Sequence, residues 1–293
     1  MARASRGGVS LHYEYVSGTD GDGEPVVFVQ NLGAGRWSWR WQREALGDAH
    51  SVIAPDTRGT GRSEAGLPPL VGSLPARLRR PLLSRLAGYS VAGLAADLEA
   101  VLADAAVRNV HLVGAGLGGM IALEHALEYG RAQSLTLLST SAGGDAGSID
   151  AEALEGAISA DGPTERQRSR ERMRPLWTDR FCNRNPHLLD RIVEWRLEQD
   201  AGAPAREAQA AAMTGFDASD RLGGLRVPTL VCHGTADRLV PVANAHLLAE
   251  AIPNSRLELI EGGSHAIAIE AADRVNERLL AFLESTGYTS AQS

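Results

Sequence analysis

Short apolar runs alternate along this chain with longer segments in which apolar residues return at helical spacing. The short runs fall at 26–29, 51–54, 110–113, 135–138, 229–232 and 257–260. Runs of this length are typical of strands buried on both faces of a parallel sheet. A stretch at 9–16 alternates apolar and polar residues, as an edge strand does. The longer segments predict helices, so the fold class is α/β, with a mostly parallel central sheet flanked by helices.

The strand pattern stops between about 142 and 215. This segment is charged and helical in its pattern, and it contains Trp177, Phe181 and Trp195. Strands and helices alternate again from residue 229 onwards. We therefore predict a core formed by residues 1–141 and 216–293, with residues 142–215 inserted between two strands as a helical cap.

Composition narrows the class of protein. Hydrophobic residues make up 44% of the chain, enough for a full core, and the net charge of −7 argues against nucleic-acid binding. No apolar run reaches the roughly 18 residues of a membrane span, and nothing at the N-terminus has the pattern of a secretory signal. We expect a cytoplasmic protein that does not bind membranes. Cys182 and Cys232 share no CxxC spacing, so neither a metal site nor a disulfide framework is expected.

A glycine-rich turn follows the strand predicted at 110–113. Residues 114–118, Gly-Ala-Gly-Leu-Gly, match the nucleophile elbow G-x-S-x-G, a strained turn from strand to helix, except that Gly116 replaces the serine. A dinucleotide-binding loop stays open as a less favoured alternative, and the absence of a following Gly-Lys-Ser/Thr excludes a P-loop. The frame of a nucleophile elbow is therefore present without its nucleophile.

Two later loops carry a candidate acid and a candidate base. Asp237 and His265 each follow a predicted strand, which places both at the same edge of the sheet. Either residue alone would be assigned to a turn or to the surface. Together, and in this order after the glycine turn, they predict a catalytic acid and a catalytic histidine.

With these residues the chain resembles the α/β-hydrolases of the esterase, lipase and peroxidase-like group, over residues 26–283. The resemblance implies an α/β-hydrolase fold with a triad at Gly116 (the nucleophile position), Asp237 and His265. It also implies that the backbone N–H groups of Leu32 and Leu117 form the oxyanion hole.

The chain departs from this family at two places. Gln30-Asn31 stands where the family has His-Gly, and Gly116 stands where it has serine, cysteine or aspartate. Glycine has no side chain and cannot be the nucleophile. Residues 139–141 carry the nearest hydroxyls by topology, and they would need unusual geometry to replace it.

Three interpretations of Gly116 remain open. The chain is a Ser-to-Gly variant of a carboxylic-ester hydrolase, or a natural enzyme whose Asp237–His265 dyad activates water or acts on a non-hydrolytic substrate, or a ligand-binding protein without activity. A lyase or a cofactor-independent oxygenase stays possible on the same dyad. Epoxide hydrolase and dehalogenase chemistry is disfavoured, because both need a carboxylate at position 116.

The expected partner is a small molecule, an ester with an apolar acyl or alcohol part. Four residues are predicted to line its pocket: Trp177, Phe181, Trp195 and Ile267. Any one of them could instead pack the cap onto the core. No cofactor is expected, and the oligomeric state is left open.

Overall fold

One eight-stranded sheet forms the centre of the molecule. The computed structural model describes residues 2–19, 23–48, 50–83, 87–145 and 147–286. Its strands are β1 (Ala2–Arg6), β2 (Val9–Val16), β3 (Val26–Val29), β4 (Val52–Pro55), β5 (Val110–Ala115), β6 (Ala132–Leu138), β7 (Thr229–Gly234) and β8 (Ser255–Ile260). Their order is β1-β2-β4-β3-β5-β6-β7-β8. β2 pairs antiparallel with β1 and β4, and the other neighbouring pairs are parallel, which confirms the predicted mostly parallel sheet.

Helices flank this sheet. They are α1 (Arg40–Leu46), α2 (Pro69–Ser73), α3 (Ala76–Leu83), α4 (Val91–Asp104), α5 (Leu117–Glu128), α6 (Ala151–Ile158), α7 (Glu165–Glu171), α8 (Asp179–Arg184), α9 (Pro186–Gln199), α10 (Ala203–Thr214), α11 (Ala243–Ala251), α12 (Ile267–Glu270) and α13 (Ala272–Ser285). None of the helices in the described ranges is long and apolar enough to cross a membrane.

The alternation of side chains along β3 shows why helices are needed on both faces. Val27 and Val29 join a hydrophobic cluster that includes residues of α4 and α5, whereas Val26 and Phe28 join a second cluster that includes residues of α13. All four side chains are buried. Successive residues of a strand point to opposite faces, so a strand with four apolar residues must be covered twice.

The prediction that 9–16 is a strand is confirmed, but its assignment to the edge of the sheet is wrong. β2 pairs with β4 on one side and with β1 on the other, from Val9 opposite Arg6 to Tyr13 opposite Ala2. β1 escapes the hydrophobic pattern because it is short and polar, and Ala4 is its buried residue. Such a strand protects the sheet edge without contributing much apolar surface.

The helices α6 to α10 lie along the chain between β6 and β7, where a cap is predicted. Some of their residues belong to the main hydrophobic cluster, among them Leu154, Ala208 and Met213. Others, including Leu189 and Ile192, form a separate cluster. The division into a core of residues 1–141 and 216–293 and a cap of residues 142–215 stays a prediction.

Candidate active site

The glycine turn joins β5 directly to α5. Gly116 stands alone between Ala115 and Leu117, with φ of +52° and ψ of −118°. This positive-φ backbone favours glycine, and other residues adopt it under strain. Its N–H donates to the carbonyl of Leu138 on the neighbouring strand, at 3.0 Å. The turn is therefore fixed to the sheet by backbone contacts that do not depend on a side chain at 116.

The two flanking glycines are required by the backbone. A Cβ at Gly114 would lie 2.2 Å from the carbonyl oxygen of Gly118, and a Cβ at Gly118 would lie 2.1 Å from that of Val29. Real Cβ atoms do not approach backbone oxygens so closely, so no other residue fits at either place without moving the main chain. These glycines allow the strand, the helix and the loop after β3 to approach one another.

Gly116 differs from both in what occupies the space beside it. The three atoms nearest to a Cβ placed there all belong to the side chain of Asn31, with Oδ1 at 2.0 Å. No backbone atom is among them. The space that a nucleophile's Cβ would take is thus filled by the end of a flexible side chain from the loop after β3.

The carboxamide of Asn31 is held at three points. Its Oδ1 accepts the N–H of Leu32 at 2.7 Å and the N–H of Leu117 at 3.3 Å. Its Nδ2 lies 2.8 Å from Nε2 of His265. The opposite orientation of the amide would turn its NH₂ group towards two N–H donors, so the network fixes which atom is oxygen. One side chain therefore bridges the two predicted oxyanion donors and the predicted catalytic histidine.

His265 and Asp237 are joined directly. Nδ1 of His265 lies 2.8 Å from Oδ2 of Asp237, and both side chains are fully buried. Because Nδ1–H donates a hydrogen bond to the carboxylate, Nε2 carries no hydrogen and accepts a hydrogen bond from the amide of Asn31. The loops after β7 and β8 therefore bring the predicted acid and histidine together, as the order along the chain implies.

The carboxylate of Asp237 is stabilised on both oxygens. Its Oδ1 accepts the N–H groups of Leu239 and Val240, each at 2.9 Å, and Nε2 of His233 lies 3.2 Å from Oδ2. Burial works against the charged form, but attraction to His265 and hydrogen bonds from His233 and His265 outweigh it and hold the pKa of Asp237 well below its usual range. Asp237 is thus an anion at any pH near neutrality, ready to stabilise a protonated His265.

A small pocket opens beside these groups. Most of its lining is apolar, including Leu32, Trp37, Trp39, Leu176, Trp177 and Ile267. Asn31, Ser38, Arg196 and His265 supply its polar side chains among the described residues. The cavity has a volume of about 60 Å³, and one water molecule needs roughly 10–15 Å³. The pocket has room for a small ligand beside His265.

Two of the four predicted pocket residues line this cavity, and two do not. Trp177 and Ile267 are part of the lining. Phe181 lies behind Trp177 and stacks on it, with ring centroids 4.9 Å apart. Trp195 packs against Trp37 at 6.0 Å and carries the guanidinium of Arg40 over its ring at 4.5 Å. These two rings support the wall instead of forming it.

The structure also reveals participants that the sequence does not predict. Trp37, Trp39 and Arg196 line the pocket, and the Asn31 side chain contacts His265 at its edge. For Asn31 a signal exists in the sequence, since Gln30-Asn31 is one of the two departures from the expected pattern. Gln30 itself anchors the loop by donating to the carbonyl of Pro55, at 2.5 Å.

The loop after β4 holds charged residues that do not reach the pocket. Asp56 accepts hydrogen bonds from Nε of Arg36 at 2.8 Å and from the backbone N–H of Arg62 at 3.0 Å. Arg58 forms a two-point ion pair with Asp97, with both contacts at 2.7 Å. These contacts fix one loop to its neighbours. In the described part of the chain, no three His, Cys, Asp or Glu side chains are grouped as metal ligands would be.

Comparison with known proteins places the chain in a family. The family model for the alpha/beta hydrolase fold matches residues 24–272. The chain therefore belongs to the α/β-hydrolase fold family. A protein of Azorhizobium caulinodans that carries the name Putative carbamate hydrolase RutD is 31% identical over 285 residues, which cover 96% of this chain and 98% of that protein.

A protein of Variovorax paradoxus with the same name is 33% identical over 278 residues, 93% of this chain and 96% of its own. Among solved structures, the enol-lactonase from Burkholderia xenovorans LB400 superposes with a TM-score of 0.78, covering 97% of this chain and all of its own. At 23% identity that likeness supports the fold alone.

The arrangement has a defined chemical capacity. Two backbone N–H groups converge on a single carbonyl oxygen, and an imidazole acceptor stands on the other side of the same planar group. A side chain at residue 116 that could form a covalent bond is absent. The site can therefore bind a carbonyl group and move a proton, but residue 116 cannot take part in acyl transfer.

Proposed function

We propose that this protein is a hydrolase of small carboxylic acid derivatives, esters or carbamates, that uses water in place of a protein nucleophile. The observation that carries the proposal is the position of the Asn31 carboxamide. Its carbonyl oxygen is bound by the N–H groups of Leu32 and Leu117, and its nitrogen faces Nε2 of His265. A substrate carbonyl placed in the same way would meet two oxyanion donors and a base. The names of the relatives, which refer to carbamate hydrolysis, agree with this class of substrate.

Substrate binding first requires Asn31 to move. The substrate carbonyl and Oδ1 of Asn31 compete for the same two N–H groups, and the Asn31 side chain occupies the space beside Gly116. When the side chain rotates away, that space is free for a water molecule next to Nε2 of His265. A glycine at 116 gives such a water more room than a serine would.

The reaction then needs two proton transfers. Nε2 of His265 takes a proton from the water while the hydroxide oxygen bonds to the carbonyl carbon. The negative charge that develops on the carbonyl oxygen is stabilised by the N–H groups of Leu32 and Leu117, and Asp237 stabilises the imidazolium. When the intermediate collapses, the bond to the alcohol or amine breaks, and that group leaves with the proton from His265.

The test is hydrolysis of a panel of small aryl esters and carbamates by the wild type and by His265→Ala. We expect slow but measurable hydrolysis by the wild type and a loss of about 10²- to 10⁴-fold in the variant, the usual contribution of a general base. His246→Ala is the matched control, since His246 lies on α11, away from the pocket. Equal rates for the wild type and His265→Ala would contradict the proposal and favour a ligand-binding protein.

A further inference from the structure

The pocket contains one charged side chain that the proposed reaction does not use. Arg196 lies on α9, its side chain is 7% exposed, and it lines the same cavity as Asn31 and His265. The residues around it in the cavity are mostly tryptophan, leucine, isoleucine and alanine. A guanidinium in such a lining is costly unless its donors are satisfied. The groups that satisfy those donors therefore decide what the pocket can bind.

Asp200 is the polar partner that the structure gives to Arg196. Nε of Arg196 lies 2.9 Å from Oδ2 of Asp200, the residue that follows the C-terminal end of α9. The other oxygen of Asp200 already accepts the N–H of Gly35 at 3.0 Å and the indole N–H of Trp37 at 2.8 Å. A guanidinium has five N–H donors. The contact with Asp200 is an ion pair without hydrogen-bond geometry at Nε, and among the described residues none accepts a hydrogen bond from the Nη groups, so donors remain for a group in the cavity.

Positive charge exceeds negative charge around this pair. Arg172, Arg196 and Arg206 are all buried, at 5%, 8% and 6% exposure. Against them stand Asp200 and Glu165, and the side chain of Glu165 is 50% exposed. Burial, together with repulsion from Arg172 and Arg196, lowers the pKa of Arg206 to about 10. An anion in the pocket would offset this excess.

We propose that Arg196 binds a carboxylate on the substrate, so that the pocket selects small anionic molecules which carry a second, reacting carbonyl group. The proposal rests on the proposed function for the identity of the site, and it deepens it by naming the substrate class. A neutral ester of the same size would leave the Nη donors unsatisfied. Selectivity should therefore follow the charge of the ligand more than its apolar surface.

Binding of an unreactive probe tests this without turnover. Butyrate and butyramide have the same shape and differ in charge, and isothermal titration calorimetry gives both dissociation constants. The wild type should bind butyrate on the order of tenfold to a hundredfold more tightly than butyramide, the range for hydrogen bonds to a charged group. The double variant Arg196→Gln, Asp200→Asn removes both charges of the pair and avoids an unpaired buried carboxylate. It should lose the preference.

Two further variants keep the result interpretable. Arg191→Gln on the same helix changes an arginine that lies over Trp195 outside the cavity, and it should keep the preference. Arg196→Lys keeps the charge and should retain part of it, which guards against a double variant that fails to fold. A wild type that binds acid and amide equally would overturn the proposal. The proposal would also be overturned if the double variant kept the preference for butyrate, because the N–H groups of Leu32 and Leu117 would then bind the carboxylate.

The outcome is separable from that of the proposed function. If His265→Ala binds butyrate as the wild type does and no ester or carbamate is hydrolysed, the anion site stands and the hydrolase proposal fails. If neutral esters are hydrolysed and charge makes no difference to binding, the hydrolase proposal stands and the anion site fails.

Discussion

The two halves of the site differ in how they relate to the family pattern. The loops after β7 and β8 carry Asp237 and His265, 2.8 Å apart, as that pattern implies. The loops after β3 and β5 carry Asn31 and Gly116, neither of which the pattern contains. The half predicted to move protons keeps its expected residues, whereas the half that would form a covalent bond is altered.

The alteration involves two positions that fit each other. A side chain is missing at 116, and the side chain at 31 fills the space that it leaves, with Oδ1 2.0 Å from where a Cβ would be. The flanking glycines meet backbone atoms instead, and so they do not depend on Asn31. Asn31 and Gly116 therefore act as one unit, and changing one should alter the effect of changing the other.

Placing a nucleophile at position 116 while making space for it should change the activity most. Asn31→Ala, Gly116→Ser should show strong esterase activity and rapid labelling of residue 116 by a fluorophosphonate, because His265 gains a hydroxyl to deprotonate. Loss of a triad costs up to about 10⁶ in turnover, which sets the scale of the gain. Mass spectrometry of the labelled protein, with a rate for each variant, is the measurement.

Gly116→Ser alone is the matched comparison. Its side chain must displace Asn31, which breaks the contacts to Leu32, Leu117 and His265, so labelling should be about tenfold or more slower than in the double variant. The introduced serine would also adopt a positive φ, at a cost of about 1–3 kcal/mol in stability. Equal labelling rates for the two variants would show that Asn31 does not hinder a side chain at position 116.

The intact half gives the next largest effect. Asp237→Asn should reduce the hydrolysis of any substrate found in the panel by about 10²-fold or more, because an amide cannot stabilise the imidazolium and disturbs the tautomer of His265. The measurement is kcat and KM from steady-state kinetics, with circular dichroism to show that the fold is kept. Unchanged turnover would show that the buried pair serves structure alone.

Substitutions of Asn31 should shift substrate binding in opposite directions. Asn31→Ala removes the internal competitor for the N–H groups of Leu32 and Leu117, so KM should fall by about tenfold. Asn31→Asp keeps the shape but puts a carboxylate between those N–H groups and His265. This carboxylate should bind the two N–H groups more strongly than the carboxamide does, and KM should therefore rise. Steady-state kinetics of both variants on one substrate decide the point, and a shift in the same direction in both would contradict it.

The smallest effect concerns buried histidines outside the site, and it sets the background for any pH experiment. Burial lowers the pKa of His111, and it lowers that of His125 despite the contact with Glu99. Both therefore stay neutral to a lower pH in the folded protein than in the unfolded chain, which takes up protons below a pKa of about 6.5. The stability they contribute is thus complete above a pH of about 6.5 and is lost as pH falls below it, by at most about 1.4 kcal/mol per pH unit for each histidine.

Urea unfolding at a pH of about 7.5 and of about 5.5, on either side of the unfolded-state pKa, measures this loss. His125→Gln should flatten the pH dependence, and His187→Gln, which changes an exposed histidine at the start of α9, should not. Equal stability of the wild type at both pH values would show that these histidines can be protonated without unfolding.

Much of the fold could be predicted because it is encoded locally. The runs of β3, β5 and β7 are buried at successive positions, and Ser90 caps α4 by accepting the N–H of Gly93 at 3.0 Å. Asp237 and His265 could be predicted because their order along the chain and the topology of a parallel sheet bring their loops to one edge.

The remaining features of the site depend on where side chains point, which the sequence pattern does not show. Asn31 is 234 residues from His265, and its contact with that ring depends on a rotamer set by three separate loops. Phe181 and Trp195 are aromatic like Trp177, but the faces of α8 and α9 turn them towards other rings instead of the cavity. Arg196 follows Trp195 in sequence, but its position on α9 places its side chain in the lining of the cavity.

In the proposed reaction water, and not a protein side chain, attacks the carbonyl. Rapid-quench mass spectrometry of the intact wild-type protein during turnover of an activated aryl ester distinguishes the two. We predict product formation with no burst and no acyl adduct, while the Asn31→Ala, Gly116→Ser variant accumulates an adduct at residue 116. An acyl adduct on the wild type would contradict attack by water. Ser139 would be the first residue to map, since its buried Oγ has no hydrogen-bond partner among the described residues and its φ is +47°.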